Sequence, residues 1–193
     1  TPVQTPQEFT DKYMGVYAAG WDELRKQRQA SAKQLGIVPA DSAMVRMSTT
    51  NDWDSYDAEE QRYHAKRMAV YAGMVDAMDH HIGRLIDYLK STGQYDNTIF
   101  IFTSDNGSEA SGGDSPRHPL MQLALRVQGY NNDYDTLGLK GSFNTIGPSF
   151  ASAAASPLAY YKFYAGEGGM RVPLIVAGAS IPAAPRLSNA FAF

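Results

Sequence analysis

The sequence predicts an α/β fold in which a mostly parallel central sheet is flanked by helices. Three features predict it: a long amphipathic helix, a nearly all-apolar strand that follows the helix after a short turn, and a second apolar strand near the end of the chain. A strand without polar alternation is typical of a sheet that is covered on both faces. With 193 residues, the chain is long enough for one domain with a hydrophobic core.

The composition indicates a globular protein. Hydrophobic residues make up 44% of the chain, and 17 basic and 20 acidic residues give a net charge of −3. This balance offers no basic patch, and no apolar run approaches the roughly 20 residues that a bilayer span needs. We therefore expect neither nucleic acid nor a membrane as a partner. The absence of cysteine excludes disulfides, thiolate metal sites and a cysteine nucleophile within the chain.

The first part of the chain is predicted to be helical. A short helical piece lies around Glu8–Tyr17, and Asp22–Leu35 forms a charged helix that ends at Gly36. Residues 36–56 are rich in Ser, Thr, Asn and Asp, which indicates a connection before the next helix.

The longest predicted helix runs from about Ala58 to Ser91. Asp57 and Glu60 have the spacing of a capping box, and Gly93 ends the helix. Apolar residues recur at steps of three and four, so we expect one buried stripe that packs on the strand that follows. This stripe consists of Tyr71, Val75, Met78, Ile82, Leu85, Ile86 and Leu89.

Two strands and one long loop make up the remainder. The strands are predicted at Thr98–Thr103 and Val172–Ala177. Between them, residues 107–157 are rich in Gly, Ser, Asn and Pro, with at most one short helix near Leu120–Val127. A loop of this length inside a compact domain is usually functional or partly disordered.

The first strand ends in a polar sequence, Asp105-Asn106-Gly107. In open α/β sheets, ligands gather beyond the carboxyl ends of strands, and carboxylate and amide oxygens suit Ca²⁺ or Mg²⁺. The same tripeptide is also good turn chemistry, and Asn106-Gly107-Ser108 matches a glycosylation sequon, which would conflict with metal binding. The residues alone leave these alternatives open.

Two motifs in order carry a family resemblance. The segment DNTIFIFTSDNG, preceded by MVDAMDHHIGRLIDYLKSTGQY and followed much later by GEGGMRVPLIV, resembles the sulfatase family within the alkaline-phosphatase-like superfamily. The likeness covers residues 58–110 and 155–178 most closely, and the charged N-terminal helix is similar to the bacterial arylsulfatase branch. The resemblance implies a partial alkaline-phosphatase/sulfatase-like sandwich.

The resemblance also implies a reaction. Sulfatases hydrolyse sulfate esters with a formylglycine nucleophile, made from the Cys or Ser of a C/S-x-P-x-R motif, and with a bound Ca²⁺. By motif position, Asp105 and Asn106 would be metal ligands, and Asp105 would also help to deprotonate the nucleophile. The implied substrate is a small-molecule or carbohydrate sulfate ester.

One lysine is implicated by its spacing. In the family a lysine stands six residues before the paired glycines of the second motif, and here Lys162 stands six residues before Gly168. The resemblance implies that Lys162 binds the sulfate group and stabilises negative charge as the ester bond breaks. Lys140, in GLKGS, is the alternative candidate for this role, since the corresponding element has the sequence K-G-T in many sulfatases.

Other polar residues are weaker candidates. His118 could line a substrate cleft, whereas Arg171 is better explained as an anchor for the turn before the second strand. The segment Ser115-Pro116-Arg117 resembles the nucleophile motif only superficially, because its spacing differs by one residue.

The sequence departs from the family pattern in two respects. It contains no C/S-x-P-x-R motif, and the family's first metal-binding aspartates are missing. We therefore expect residues 1–193 to be the central portion of a sulfatase catalytic domain, with the nucleophile-bearing N-terminal part and the C-terminal part outside this chain. Two alternatives stay open: a phosphonate monoester or phosphodiester hydrolase of the same superfamily, and a non-catalytic module that binds a metal or an ester.

Overall fold

The computed structural model describes residues 2–114, 118–182 and 187–188. Ser115-Pro116-Arg117 lies outside the described residues, so the structure does not test the interpretation that this segment resembles the nucleophile motif only superficially. The described elements are helices α1 (Gln7–Asp11), α2 (Gly20–Gln34), α3 (Ala58–Ser91), α4 (Pro119–Val127), α5 (Gly147–Ala155) and α6 (Glu167–Met170), and strands β1 (Ile99–Thr103) and β2 (Leu174–Gly178). Short 3₁₀ turns lie at Trp53–Ser55 and Tyr95–Asn97.

The two predicted strands are present and pair with each other. They run antiparallel, with Ile99 opposite Gly178 and Thr103 opposite Leu174. The predicted mostly parallel sheet is therefore not confirmed, since the described residues contain only this pair. The prediction that β1 is covered on both faces is wrong for this chain, because Ile101 is 68% exposed. In a larger sheet, neighbouring strands and helices would cover such a pair. Among the described residues, no such layer lies over it.

Helix α3 begins as predicted. The Asp57 carboxylate accepts hydrogen bonds from the backbone N–H groups of Glu59 and Glu60, each at 2.9 Å, and the Glu60 carboxylate accepts from Asp57 N at 3.2 Å. This reciprocal pair satisfies backbone donors that otherwise have no partner in the first turn of a helix. The predicted capping box is confirmed.

The predicted apolar stripe of α3 is wrong. Val75, Met78 and Leu85 are exposed, Leu85 by 51%, whereas the buried residues of α3 lie between Tyr63 and Ala77. The first half of the helix packs against α1 and against the segment around residues 132–145. The second half has little more than the turn at Tyr95–Asn97 beside it, so its apolar residues have no described partner layer.

The core forms around the segment that was predicted to be a loop. Trp21 of α2 is fully buried, and its ring centroid lies 4.6 Å from that of Trp53 and 5.3 Å from that of Phe150. Phe150 belongs to α5, so the prediction of at most one short helix within residues 107–157 is wrong. The Gly, Ser, Asn and Pro content of the surrounding segment indicated a loop, but four of the nine residues in the α5 sequence GPSFASAAA are alanine, and its small residues allow the helix to pack closely against α2. The core cluster comprises Trp21, Met47, Trp53, Met68, Ile146, Phe150, Ala151, Ala153 and Tyr161.

A buried polar layer lies beside this core. The Arg67 guanidinium is buried and donates to the carbonyl of Thr145 at 2.6 Å, to the carbonyl of Gly113 at 3.1 Å and to His64 Nδ1 at 3.0 Å. Because arginine can only donate, His64 Nδ1 is unprotonated. Arg67 thus connects α3 to two loop segments by bonds that satisfy its buried charge.

We predict that this layer makes the fold sensitive to acid. Burial, followed by the charge of Arg67, lowers the pKa of His64 from its ordinary value to about 3, against a weaker opposing hydrogen bond with the Asp114 backbone. Below about pH 6.5, His64 binds a proton in the unfolded chain but not in the folded chain. The contribution of neutral His64 to the free energy of unfolding is therefore fully present above that pH and is lost as the pH falls toward 3. The loss from His64 is on the order of 2 kcal/mol at pH 5.

Denaturant unfolding at pH 7 and pH 5 tests this prediction. The wild type should lose more stability between the two pH values than His64→Gln, whereas the exposed-site control His81→Gln should behave like the wild type. An equal loss in His64→Gln and the wild type would contradict it.

Candidate functional site

The loop after β1 is a compact turn that leaves oxygen atoms free. Ser104 Oγ donates to the carbonyl of Asn106 at 2.7 Å, and Asn106 Nδ2 donates to the carbonyl of Gly107 at 2.9 Å. Asp105 is exposed and Asn106 is half-buried. Among the described residues, none donates a hydrogen bond to the Asp105 carboxylate or to Asn106 Oδ1. The turn and the ligand interpretations are therefore compatible, since the turn holds both side chains at one place.

Backbone hydrogen bonds attach this loop to the segment that carries Lys162. Gly107 N donates to the carbonyl of Gly169 at 2.9 Å, and Lys162 N donates to the carbonyl of Ser108 at 3.0 Å. A Cβ atom on Gly107 would lie 1.8 Å from the carbonyl oxygen of Gly168, so no other residue fits without moving the backbone. The absence of a side chain at Gly107 thus allows the close approach of the two segments.

Lys162 forms an ion pair with an acid that follows the loop. Its Nζ lies 2.7 Å from Glu109 Oε2, and the two side chains are 36% and 31% exposed. Burial alone would raise the pKa of Glu109, but hydrogen bonds from Lys162 and Ser111 outweigh it and lower that pKa to about 2. The hydrogen bond to Glu109 raises the pKa of Lys162, and the negative charge of Asp105 adds to this effect. Lys162 is therefore a stable cation beside the loop.

The structure separates the two candidate lysines. Lys140 is exposed on a turn that packs against the N-terminal residues: the carbonyl of Gly138 accepts from Thr5 N at 3.0 Å, and the carbonyl of Ser142 accepts from Gln4 Nε2 at 2.7 Å. Lys162 is the lysine whose backbone is bonded to the loop after β1. Its role toward sulfate stays a prediction.

The remaining candidates have structural roles in this fold. His118 precedes α4 and its Nδ1 accepts from Leu120 N at 3.4 Å, which makes it the N-cap of that helix. Arg171 donates to the carbonyl of Ile37 at 3.3 Å and lies 3.9 Å from Glu167, in agreement with its interpretation as an anchor.

The donor set fits a hard divalent cation in kind but not in number. Asp105 and Asn106 supply a carboxylate and an amide oxygen, whereas Ca²⁺ takes 6–8 oxygen ligands. In the part of the chain that the structure describes, no three His, Cys, Asp or Glu side chains come together as a metal-binding group. A complete site would need further oxygens.

Sequence reasoning missed Glu109 as the acidic partner of Lys162. The only signal was an acidic residue three positions after Asn106, and nothing in the sequence connects it to Lys162.

Within the described ranges, no helix has the length and apolar character that crossing a bilayer requires.

Comparisons with known proteins identify the family of this chain. The family model described as Sulfatase matches residues 1–192. An uncharacterised sulfatase of Schizosaccharomyces pombe is 41% identical over 177 residues, which cover 91% of this chain and 32% of that protein. An arylsulfatase of Klebsiella aerogenes is 35% identical over 184 residues, which cover 93% of this chain and 38% of the relative.

A shorter match reaches beyond the sulfatases. A multifunctional alkaline phosphatase superfamily protein of Trinickia caryophylli is 46% identical over 62 residues, which cover 32% of this chain and 11% of the relative.

The chain spans about a third of the length of the S. pombe and K. aerogenes relatives. The match along almost the whole chain confirms the predicted family, and the chain belongs to the sulfatase family.

Proposed function

We propose that this chain is the central portion of the catalytic domain of an arylsulfatase-like sulfuric ester hydrolase. The observation that carries the proposal is the backbone attachment of the Asp105-Asn106 loop to the segment of Lys162, through bonds of Gly107 and Ser108, the residues that directly follow the two oxygen donors. Its substrate class is a small-molecule or carbohydrate sulfate ester. The formylglycine nucleophile would lie outside this chain.

Asp105 and Asn106 would hold the divalent cation, Ca²⁺ or Mg²⁺, with one oxygen each. When bound, such a cation supplies Lewis-acid polarisation of the sulfate oxygens and orients the nucleophile. Asp105 is also exposed enough to accept a proton from the attacking group.

Lys162 would bind the sulfate as a permanent cation. An ammonium group has three N–H donors, and Glu109 Oε2 takes one of them, which leaves two for an anion. These donors would stabilise the negative charge that develops as the ester bond breaks.

A second candidate is a phosphonate monoester or phosphodiester hydrolase of the same superfamily. The match to the multifunctional alkaline phosphatase superfamily protein favours keeping it. Both activities would use the same strand-end donors, so substrate comparison must separate them.

The test is to assay a full-length protein that carries this chain on an activated aryl sulfate, an aryl phosphodiester and an aryl phosphonate. We expect kcat/KM to be highest for the sulfate, and preference for a phosphorus ester would favour the second candidate. Binding without turnover of any ester would instead support a non-catalytic module.

The 193-residue chain alone should show no turnover of the aryl sulfate. It has no nucleophile motif, and its exposed apolar strands should make the isolated chain poorly stable or prone to associate. Turnover by the purified chain that is lost in Asp105→Ala would contradict this prediction.

A further inference from the structure

Glu109 is held at both carboxylate oxygens. Its Oε1 accepts hydrogen bonds from Ser111 N at 2.8 Å and from Ser111 Oγ at 2.5 Å, while Oε2 lies 2.7 Å from Lys162 Nζ. One oxygen thus anchors the carboxylate to its own loop, and the other oxygen is directed to the lysine. Most exposed ion pairs lack such an anchor and contribute little.

The backbone gives this contact a fixed register. Lys162 N donates to the carbonyl of Ser108, the residue directly before Glu109. Both ends of the lysine, its amide and its ammonium, are therefore bonded to the same loop that carries Asp105 and Asn106. The side chain has little freedom to swing away while both bonds hold.

We propose that Glu109 is a positioning residue that fixes the Lys162 ammonium beside the Asp105-Asn106 loop, so that the lysine meets the sulfate group already oriented. The inference rests on the proposed function and adds a residue to its site. A flexible lysine would have to lose side-chain freedom when the transition state forms, whereas a lysine held by Glu109 has lost it beforehand.

The charge of Glu109 predicts a distinctive kinetic signature. A carboxylate beside the lysine repels an anionic substrate, so its removal should not weaken ground-state binding. Its removal should instead reduce the rate of the chemical step, because the lysine loses its orientation. A residue that only supported the fold would not separate KM from kcat in this way.

The experiment replaces Glu109 by Gln in the full-length protein. We expect kcat on an activated aryl sulfate to fall about tenfold with no rise in KM. Ser111→Ala removes the hydroxyl anchor and keeps the backbone bond, so it should lower kcat by a smaller factor. Asp76→Asn is the matched control, because Asp76 forms an ion pair of 2.8 Å with Lys12 away from this loop, and kcat should not change.

A second measurement follows the lysine directly. NMR signals of the Lys162 ammonium should persist in the wild type, where the hydrogen bond slows exchange with water, and should broaden in Glu109→Gln. The thermal midpoint should move by no more than about 2–4 °C, since the pair is partly exposed.

The outcomes separate the two proposals. Wild-type turnover of aryl sulfate with kcat unchanged in Glu109→Gln, or a Lys162 signal that persists in that variant, overturns the positioning role and leaves the proposed function intact. A wild-type protein without sulfate ester hydrolysis overturns the proposed function, and with it the role of Glu109 toward sulfate.

Discussion

Replacing Asp105 by Ala in the full-length protein should reduce kcat/KM for an activated aryl sulfate by on the order of 10³-fold or more. Asp105 is the only charged oxygen donor in the Asp105-Asn106-Gly107 turn. A bound cation stabilises the transition state by several kcal/mol, and about 4 kcal/mol corresponds to a factor of 10³. The same variant should bind Ca²⁺ more weakly and lose most of it on purification, because the site loses a charged oxygen ligand.

Steady-state kinetics and metal content, measured on the same preparations, test this expectation. Asp96→Ala is the control, because Asp96 is also exposed but lies in the turn before β1, at the opposite end of the strand. It should keep both activity and metal. Full activity in Asp105→Ala, or an unchanged metal content, would show that the strand end is only a turn.

Replacing Lys162 by Ala should cost on the order of 2–4 kcal/mol of transition-state stabilisation, by analogy with a removed oxyanion donor. That cost corresponds to a decrease in kcat of about 30- to 1000-fold. The loop should stay in place, because the bond between Lys162 N and the carbonyl of Ser108 does not involve the side chain.

Lys140→Ala is the comparison that decides between the two lysines. Lys140 is exposed on a turn that packs against residues near the N-terminus, so its removal should change kcat by less than about twofold. The reverse ranking in kinetics on the full-length protein would refute the spacing argument that selected Lys162.

The predictions that the structure confirms depend on neighbouring residues. The capping box of α3 joins Asp57 to Glu60 within one turn, and Gly36 follows α2 with a φ of 69°, a conformation that glycine adopts readily. Strands β1 and β2 were found within two residues of their predicted ends. These features are visible in the sequence because the physical cause lies a few residues away from its effect.

The errors arise where the partner is distant in the chain. The sequence of α3 does contain the apolar periodicity of a helix. Burial, however, depends on which other elements pack on the helix, and in this fold they pack on its N-terminal half. Helix α5 was missed because the Gly, Ser, Asn and Pro residues around it indicated a loop, whereas its own alanines and its buried position beside Trp21 favour a helix.

By itself, the sequence determined helices α2, α3 and α4, strands β1 and β2, the sulfatase family and the residues that end β1. Only the tertiary structure decided that the strands pair antiparallel, that α5 fills the core and that Glu109 holds Lys162. Caps, periodicity and motifs are local, and a single chain displays them directly. Burial and ion pairing depend on distances between residues that are far apart in the chain, and those distances exist only after packing.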